Sequence, residues 1–294
     1  MTNKFKINIR MLALILVAVA LVLAGFRTIL VCSSYDIEAS HFDNGNPLPD
    51  IFNYILFALT VCVIIILFLC KKGELPSDIG VTGNVTKFFA GAVAFCSLWG
   101  GLYSFTKTVS IPDVMQTRAQ QLGNIQALLS LGVFIYFVFN AFSNEKHVKI
   151  KSVFGLVTIL WHVLFVLTIY FDMTTPLNAP VKVLFQFAVL ASMFYINYEM
   201  RFFVNIPQPR AYVAASLVSV VFLLSASVSM IVGKLMGKVN IGYLDLIYCV
   251  QLLCTAGYVL SRLFTYLKTV KEIPFMVKNE KTEVKETVAE VTGN

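Results

Sequence analysis

Eight long runs of apolar and almost uncharged residues dominate this sequence and limit what it can fold into. A helix needs about 20 mostly apolar residues to cross the hydrocarbon core of a bilayer. The strands of an outer-membrane barrel are shorter and alternate in polarity, so these continuous runs favour helices. The sequence therefore predicts an all-α, polytopic transmembrane helix bundle. Its predicted spans are residues 11–30, 51–70, 88–105, 125–142, 153–170, 181–198, 213–232 and 244–267.

The overall composition excludes most soluble classes of protein. Hydrophobic residues make up 58% of the chain and charged residues 13%, whereas soluble domains average about 45–50% and about 25%. A chain with so few charged residues cannot cover the surface of a water-soluble enzyme of this size. The net charge of +7 does not indicate nucleic-acid binding, because the cations are dispersed over loop ends and form no basic face. The lipid bilayer is the predicted partner, and nucleic acid is not.

The distribution of Lys and Arg predicts the orientation of the bundle. Seventeen of these 23 cations fall in the two terminal segments and the connections on their side of the predicted spans, and six fall on the other side. Because cytoplasmic loops of membrane proteins are enriched in Lys and Arg, we predict a multi-pass protein of the cytoplasmic membrane with both termini in the cytoplasm. Residues 1–270 form the predicted bundle. Residues 271–294, which alternate Lys and Glu with Thr and Val, predict a disordered cytoplasmic tail.

The first predicted span also has the charge pattern of a signal peptide, with Ala24 as a cleavage residue. We favour retention of this span, because its apolar run continues past Arg27 to Cys32. Arg27 is then expected to extend towards water at the outer boundary. Tyrosines at span ends, such as Tyr212 and Tyr266, are expected at the headgroup level.

The two halves of the chain share a faint likeness that raises the question of a four-plus-four tandem repeat. A basic lead-in precedes spans one and five, and a Pro-Leu start (47–48 and 176–177) precedes spans two and six. Parallel repeats of this kind occur in some transporters. Basic lead-ins and Pro-Leu starts also recur in unrelated polytopic proteins, and end signals alone favour this second interpretation.

His162 is the ionisable residue nearest the centre of a predicted span. An ionisable group at that depth indicates a functional site, because charging it there is costly. It can serve as a proton relay or a ligand contact. The alternative is a neutral histidine bonded to a neighbouring carbonyl or hydroxyl beside Trp161, which we favour because no intramembrane carboxylate is predicted to pair with it.

A second group of polar residues lies towards the predicted outer side. Gln186 and Gln251 fall in the outer halves of spans six and eight, and Asp172, Lys182 and Asp245 follow at the outer rim. Together with His162 they define a candidate polar pocket open to the outside. The alternative is that each glutamine only bridges helices, a common use of amides in membranes.

The first outer loop, at 35–50, carries four carboxylates and a histidine without Lys or Arg. Oxygen ligands of this kind suit a divalent cation, but the spacing fits no EF-hand, and a solvated acidic loop is favoured.

Glu199 and Arg201 lie at the cytoplasmic end of span six. Because they are two residues apart on a helix, their side chains do not face each other, so either is expected to pair with another helix.

Small residues at four-residue spacing in span three predict a packing face.

The chain lacks the nucleotide-binding, metalloprotease and serine-hydrolase motifs. Its six cysteines form no C-x-x-C pair and stand beside no histidine at metal spacing, so no metal or cofactor is predicted. We therefore expect no enzymatic activity. Two functions remain: a small transporter-like or solute-binding membrane protein, and a non-enzymatic sensor or accessory subunit that docks a partner through its cytoplasmic loops and tail. The small-molecule ligand or protein partner is unknown from the sequence.

Three stretches carry a resemblance to known sequences. They are YDIEASHF at 35–42, PLNAP at 176–180 and MFYINYEMR at 193–201. In these stretches the chain resembles an uncharacterised family of bacterial polytopic membrane proteins of about eight spans. The resemblance implies a bacterial cytoplasmic membrane. It implies no activity, substrate or site residue.

Overall fold

The computed structural model describes residues 6–69, 75–80, 82–109, 117–142, 148–173, 175–239, 246–270 and 273–274. Within them lie eight helices, each long and apolar enough to cross a membrane. The helices are α1 (Ile9–Ser34), α2 (Leu48–Leu69), α3 (Asn84–Val109), α4 (Arg118–Phe142), α5 (Val148–Phe171), α6 (Pro180–Phe203), α7 (Pro209–Leu235) and α8 (Leu246–Tyr266). The predicted all-α eight-helix bundle is confirmed, and the chain is a multi-pass membrane protein.

Most helices extend beyond the predicted apolar spans. The largest differences are at the starts of α4 and α5 and at the end of α6, where polar or charged residues continue the helix. Apolar composition marks only the part of a helix that lies in hydrocarbon, so polar end turns escape such a prediction. Local signals set several ends: Asn8 accepts the backbone N–H of Met11 at 3.1 Å, and α6 and α7 begin at Pro180 and Pro209, where proline lacks only an N–H that would be unpaired anyway.

Short strands mark the two ends of the bundle. The strands β1 (Lys6–Ile7) and β4 (Ile273–Pro274) pair antiparallel where α1 begins and α8 ends, which we call the terminal end. At the opposite end, β2 (Tyr35–Asp36) and β3 (His41–Phe42) form an antiparallel hairpin after α1, and we call this the hairpin end. The predicted tail falls outside the described residues, apart from β4.

Six helices form a closed ring. Neighbours pack along their lengths in the order α3, α4, α5, α6, α7 and α8, and α8 returns to α3. The helices α1 and α2 pack mainly against α7, so α7 is the most buried helix. In an 18-residue apolar stretch of α7, 67% is buried, against 22% in α2. Aromatic side chains fill the space inside this ring of helices. The ring centroids of Phe137 on α4 and Tyr258 on α8 are 5.1 Å apart, and those of Phe165 on α5 and Tyr248 on α8 are 4.9 Å apart. The ring is thus a packed interior in which α8 faces α4, α5 and α6.

Two close approaches bring α3 against its neighbours. A Cβ on Gly101 would lie 2.7 Å from Cβ of Ser130 on α4. A Cβ on Gly100 would lie 3.0 Å from the Tyr248 ring on α8. Small residues of this kind let membrane helices approach closely. Gly100 belongs to the row of small residues predicted as a packing face in span three, whereas Gly101 lies outside that row.

The helix packing does not display the four-plus-four repeat. The helices α5 and α6 pack along their lengths, whereas the corresponding pair α1 and α2 touch at few positions. The tandem duplication stays a prediction.

One expectation about boundary residues is wrong, and two boundary tyrosines are more enclosed by protein than expected. Arg27 does not extend to water: its side chain is 1% exposed. Tyr212 and Tyr266 are buried, with their rings 5.2 Å apart inside the bundle. Both differences arise because neighbouring helices and the hairpin cover the bundle ends, so a position near the end of a span is not thereby exposed.

Candidate functional site

A continuous line of buried polar side chains runs along α8. Its members recur every three or four residues, the spacing that places side chains on one face of a helix. All of them are 4% exposed or less, and at 1.5 Å per residue the line is about 27 Å long. We call it the polar face of α8. It consists of Tyr248, Gln251, Thr255, Tyr258, Arg262 and Tyr266.

The centre of the site is Glu199 of α6, which is 0% exposed. Three phenol groups donate hydrogen bonds to its carboxylate: Tyr136 to Oε2 at 2.8 Å, Tyr195 to Oε1 at 3.1 Å, and Tyr258 to Oε1 at 2.8 Å. Tyr195 precedes Glu199 by one helical turn, while Tyr136 comes from α4 and Tyr258 from α8. One carboxylate therefore joins three helices across the interior of the ring.

Arg262 supplies the positive charge at this site. Its Nε lies 3.5 Å from Oε1 of Glu199, and the arginine is 3% exposed. Its Nη1 donates to the Gly80 carbonyl at 3.3 Å and to the Thr82 hydroxyl at 3.1 Å. The hydroxyl of Tyr266 donates to the Pro76 carbonyl at 2.7 Å. The polar face of α8 thereby ends in contacts with the connection between α2 and α3.

Aromatic rings also pack beside this ion pair towards the terminal end. The ring centroid of Tyr212 on α7 lies 5.6 Å from that of Tyr195 and 5.1 Å from that of Phe202. Phe202 in turn lies 5.8 Å from Tyr266. We call Glu199, Arg262, Tyr136, Tyr195 and Tyr258 the carboxylate cluster. Because Coulomb interactions weaken as the surrounding dielectric rises, exclusion of water by these rings strengthens the attraction within the cluster.

A second polar layer lies nearer the hairpin end. The indole nitrogen of Trp161 donates to the Ser130 hydroxyl at 2.9 Å, and the Tyr248 hydroxyl donates to the Gly100 carbonyl at 3.2 Å. Gln126, one turn before Ser130, is buried with both amide atoms lacking a hydrogen-bond partner among the described residues. The Oε1 atom of Gln251, in the half of α8 nearer the hairpin end, is also buried without a hydrogen-bond partner among the described residues. These amide atoms can bind water or a polar ligand.

The structure places the predicted pocket residues in different surroundings. His162 is buried, and its Nδ1 lies 2.7 Å from the Thr158 carbonyl. A carbonyl oxygen only accepts, so Nδ1 carries the proton. Gln251 lies on the polar face of α8. Gln186 is half-buried beside the exposed Phe187 and does not lie on that interior surface.

The predicted outer rim is only partly described. Asp172 is buried directly after α5. The side-chain amine of Lys182 donates to the backbone carbonyl of Asp172 at 2.6 Å and to the backbone carbonyl of Thr175 at 3.2 Å. Lys182 therefore ties the start of α6 to the connection that precedes it. Asp245 lies outside the described residues, so the rim of the predicted pocket is not seen as a unit.

The acidic hairpin shows no metal cluster. Among the described residues no group of three or more His, Cys, Asp or Glu side chains could hold a metal ion. Asp36 instead accepts the backbone N–H groups of Glu38 at 2.8 Å and Ala39 at 3.3 Å. This is an ordinary Asx turn, and the acidic side chains around it are exposed.

Sequence reasoning missed the carboxylate cluster. The expectation that Glu199 or Arg201 pairs with another helix is confirmed for Glu199, which contacts Tyr136, Tyr258 and Arg262. From the sequence, Arg262 counts only as a topology cation, and the three tyrosines of the cluster have no assigned role. Two signals were present: Tyr195 and Glu199 are four residues apart on one helix, and the polar residues of α8 recur at helical spacing.

Comparison with models of known protein families, with curated proteins and with solved structures found no match.

Proposed function

We propose that the protein is a transporter-like, solute-binding membrane protein whose ligand path follows the polar face of α8. The observation that carries this proposal is the continuity of that face, which presents a polar group at every inward turn. Polar groups buried among apolar helices are costly unless they are paired or used. The carboxylate cluster is paired, whereas Gln126 and Gln251 keep unpartnered amide atoms nearer the hairpin end.

The two parts of the path have different roles in this proposal. In this proposal the unpartnered amide atoms bind a polar solute, together with the hydroxyl of Thr255, one helical turn from Gln251, and the imidazole of His162. The carboxylate cluster closes the path towards the terminal end, since Glu199 and Arg262 join α4, α6 and α8 to the α2–α3 connection. Separation of this ion pair would open the path on that side.

Orientation and location complete the proposal. The terminal end faces the cytoplasm, because it carries the excess of Lys and Arg, and the membrane is a bacterial cytoplasmic membrane, as the family resemblance implies. No enzymatic step is part of this proposal, because the sequence carries no recognised catalytic motif.

Cysteine accessibility tests whether water enters the path. All six native cysteines are replaced, and single cysteines are introduced by Gln251→Cys, Thr255→Cys and Leu252→Cys. Leu252 is a matched control, because it is buried at the same depth of α8 without belonging to the polar face. A small water-soluble thiol reagent added from the hairpin end should label the first two variants and spare the third.

Equal protection of all three cysteines would overturn the transporter proposal. It would instead favour a packed bundle that acts as a sensor or accessory subunit, the second candidate function. The full pairing of the carboxylate cluster is the observation that favours this alternative. A partner captured by the full chain, and lost when residues 271–294 are removed, would support it.

A further inference from the structure

Arg27 presents a buried positive charge that no side chain neutralises in the described part of the protein. It lies on α1, about 10 Å along the helix axis before the last residue, Ser34. The side chain is 1% exposed, and all three guanidinium nitrogens are buried without a hydrogen-bond partner among the described residues. A buried charge in this state is strongly disfavoured unless something supplies the missing interactions.

Aromatic rings surround the guanidinium without satisfying it. Its Cζ lies 4.6 Å from the ring centroid of Phe42 on β3 and 5.0 Å from that of Phe52 on α2. Contacts of this kind stabilise a cation electrostatically. They accept none of its five N–H groups, which project from the edge of the planar group. The rings therefore hold the cation in place and leave its donors available.

Neighbouring polar groups do not serve as counter-ion. The ring of Tyr35 lies 5.3 Å from Phe42. Burial raises the pKa of the Tyr35 phenol, an effect that hydrogen bonding to Ser40 opposes, so Tyr35 is neutral at physiological pH. The carboxylate of Asp36 is exposed and accepts backbone N–H groups of its own turn. The acidic residues of the hairpin therefore lie at the surface, and among these described neighbours no carboxylate contacts Arg27.

We propose that Arg27 anchors a binding site for a phosphate oxyanion beneath the β2–β3 hairpin. A guanidinium edge matches two oxygens of a phosphate in a bidentate arrangement, which a compact ammonium does not reproduce. The phosphate comes either from a phospholipid headgroup or from a soluble phosphate. The site is independent of the path along α8.

The hairpin is the cover of this site. Its ladder contains only the pairs Tyr35–Phe42 and Asp36–His41. Ser40 in its turn has φ of 55°, the left-handed region that costs a non-glycine residue energy. Beneath the hairpin, α1 and α2 touch at few positions, so the ligand reaches Arg27 when the hairpin lifts. Phe42 moves with β3 and closes over the bound group.

A thermal unfolding experiment on the purified full chain in detergent tests the site. The midpoint temperature is measured with inorganic phosphate, with short-chain phosphatidylglycerol, with short-chain phosphatidylcholine, and with chloride at matched ionic strength. A ligand at ten times its Kd should raise the midpoint of the wild-type protein by about 3–5 °C, whereas chloride should not. A rise with inorganic phosphate identifies a soluble phosphate as sufficient, and a rise with the lipids alone identifies a headgroup.

Arg27→Met and Arg118→Met form a matched pair of variants. Arg118 is an exposed arginine at the same end of the bundle, 6.0 Å from the Phe171 ring. We expect Arg118→Met to respond to phosphate like the wild type. Arg27→Met should lose the response, and its midpoint without ligand should equal or exceed that of the wild type, because an unpaired buried charge is gone.

Two further variants keep the test decisive if Arg27→Met does not fold. Arg27→Lys retains the charge without the bidentate edge, and Phe42→Leu removes one covering ring. Each should weaken phosphate binding at least about tenfold. No shift of the wild-type midpoint with any phosphate probe would overturn the proposal, as would an equal shift in the Arg27 variants. Arg27 would then be a structural cation held by aromatic rings alone.

Discussion

The substitution Glu199→Gln removes the charge of the carboxylate cluster and keeps the size of the side chain. In the wild type, the carboxylate accepts three phenol hydrogen bonds and contacts Arg262 at 3.5 Å. Breaking a buried ion pair by removing one partner costs about 3–5 kcal/mol, because the remaining charge is left uncompensated.

The contacts that survive place the expected cost at the lower end of that range. Arg262 retains the Gly80 carbonyl and the Thr82 hydroxyl as acceptors, and the amide oxygen of the variant still accepts phenol hydrogen bonds, now without charge assistance. We expect a loss of about 3 kcal/mol, which is a roughly 150-fold change in the folding equilibrium constant. The free energy of unfolding is measured by titrating the purified protein in mixed micelles with sodium dodecyl sulfate and following circular dichroism.

A matched substitution and a double variant control this experiment. Glu38→Gln makes the same chemical change at an exposed position of the hairpin and should alter stability by no more than about 0.5 kcal/mol. The double variant Glu199→Gln, Arg262→Met removes both charges and should be more stable than Glu199→Gln alone. If Glu199→Gln unfolds at the same denaturant concentration as Glu38→Gln, the reasoning about a charged, paired cluster is refuted.

Three further outcomes are expected. Gly101→Ala should cost about 1–3 kcal/mol of unfolding free energy, since its Cβ would lie 2.7 Å from Cβ of Ser130. In the control Gly91→Ala, on the same helix, the new Cβ meets nothing within 4 Å, so this variant should be neutral or stabilising. Equal effects of the two substitutions would contradict the close approach of α3 to α4. Ser130→Ala leaves the buried N–H of Trp161 without its acceptor and should cost about 1–3 kcal/mol of unfolding free energy. It should also change the tryptophan fluorescence, whereas Ser152→Ala, at a half-buried serine of α5 that donates to the Val148 carbonyl, should not. Burial raises the pKa of the Tyr35 phenol above 10.0, so its protonated form stabilises the folded state. This stabilisation is complete below pH 10 and is lost as the pH rises through the raised pKa. The free energy of unfolding should therefore fall less steeply at alkaline pH in Tyr35→Phe, and an unchanged pH profile would contradict this reasoning.

The number, type and order of the helices could be predicted from the sequence, because length and apolar composition suffice to mark a membrane-crossing helix. Their lateral arrangement could not. In a soluble protein the apolar face of a helix points to the core, but in a membrane both lipid and core are apolar, so the face signal weakens. The helix α7, enclosed by α1, α2, α6 and α8, carries no charge between Arg210 and Lys234 that would distinguish its position in the bundle from that of a lipid-facing helix.

The site shows the same limit at the level of single residues. The positions of His162 and Gln251 along their helices could be predicted, since they follow from the span boundaries. Most neighbours could not, because Tyr136 on α4 and Tyr258 on α8 lie far from Glu199 in sequence. Two sequence signals do indicate the site. Tyr195 and Glu199 are four residues apart on α6, and α8 carries a polar side chain at every third or fourth residue, which favours an interior face.

The pairing of Glu199 with Arg262 also has a consequence for biosynthesis. The ribosome completes α6 before α8, so Glu199 emerges into the membrane insertion machinery before its cation exists. Tyr136 and Tyr195 precede it in the chain and are the first hydrogen-bond donors it meets, while Tyr258 and Arg262 arrive with the last helix. Until α8 is inserted, the ring lacks the helix that closes it against α3. Synthesis of the final span therefore both closes the ring and neutralises its buried acid, and a chain truncated before α8 should be recognised by the cell as an unfinished membrane protein.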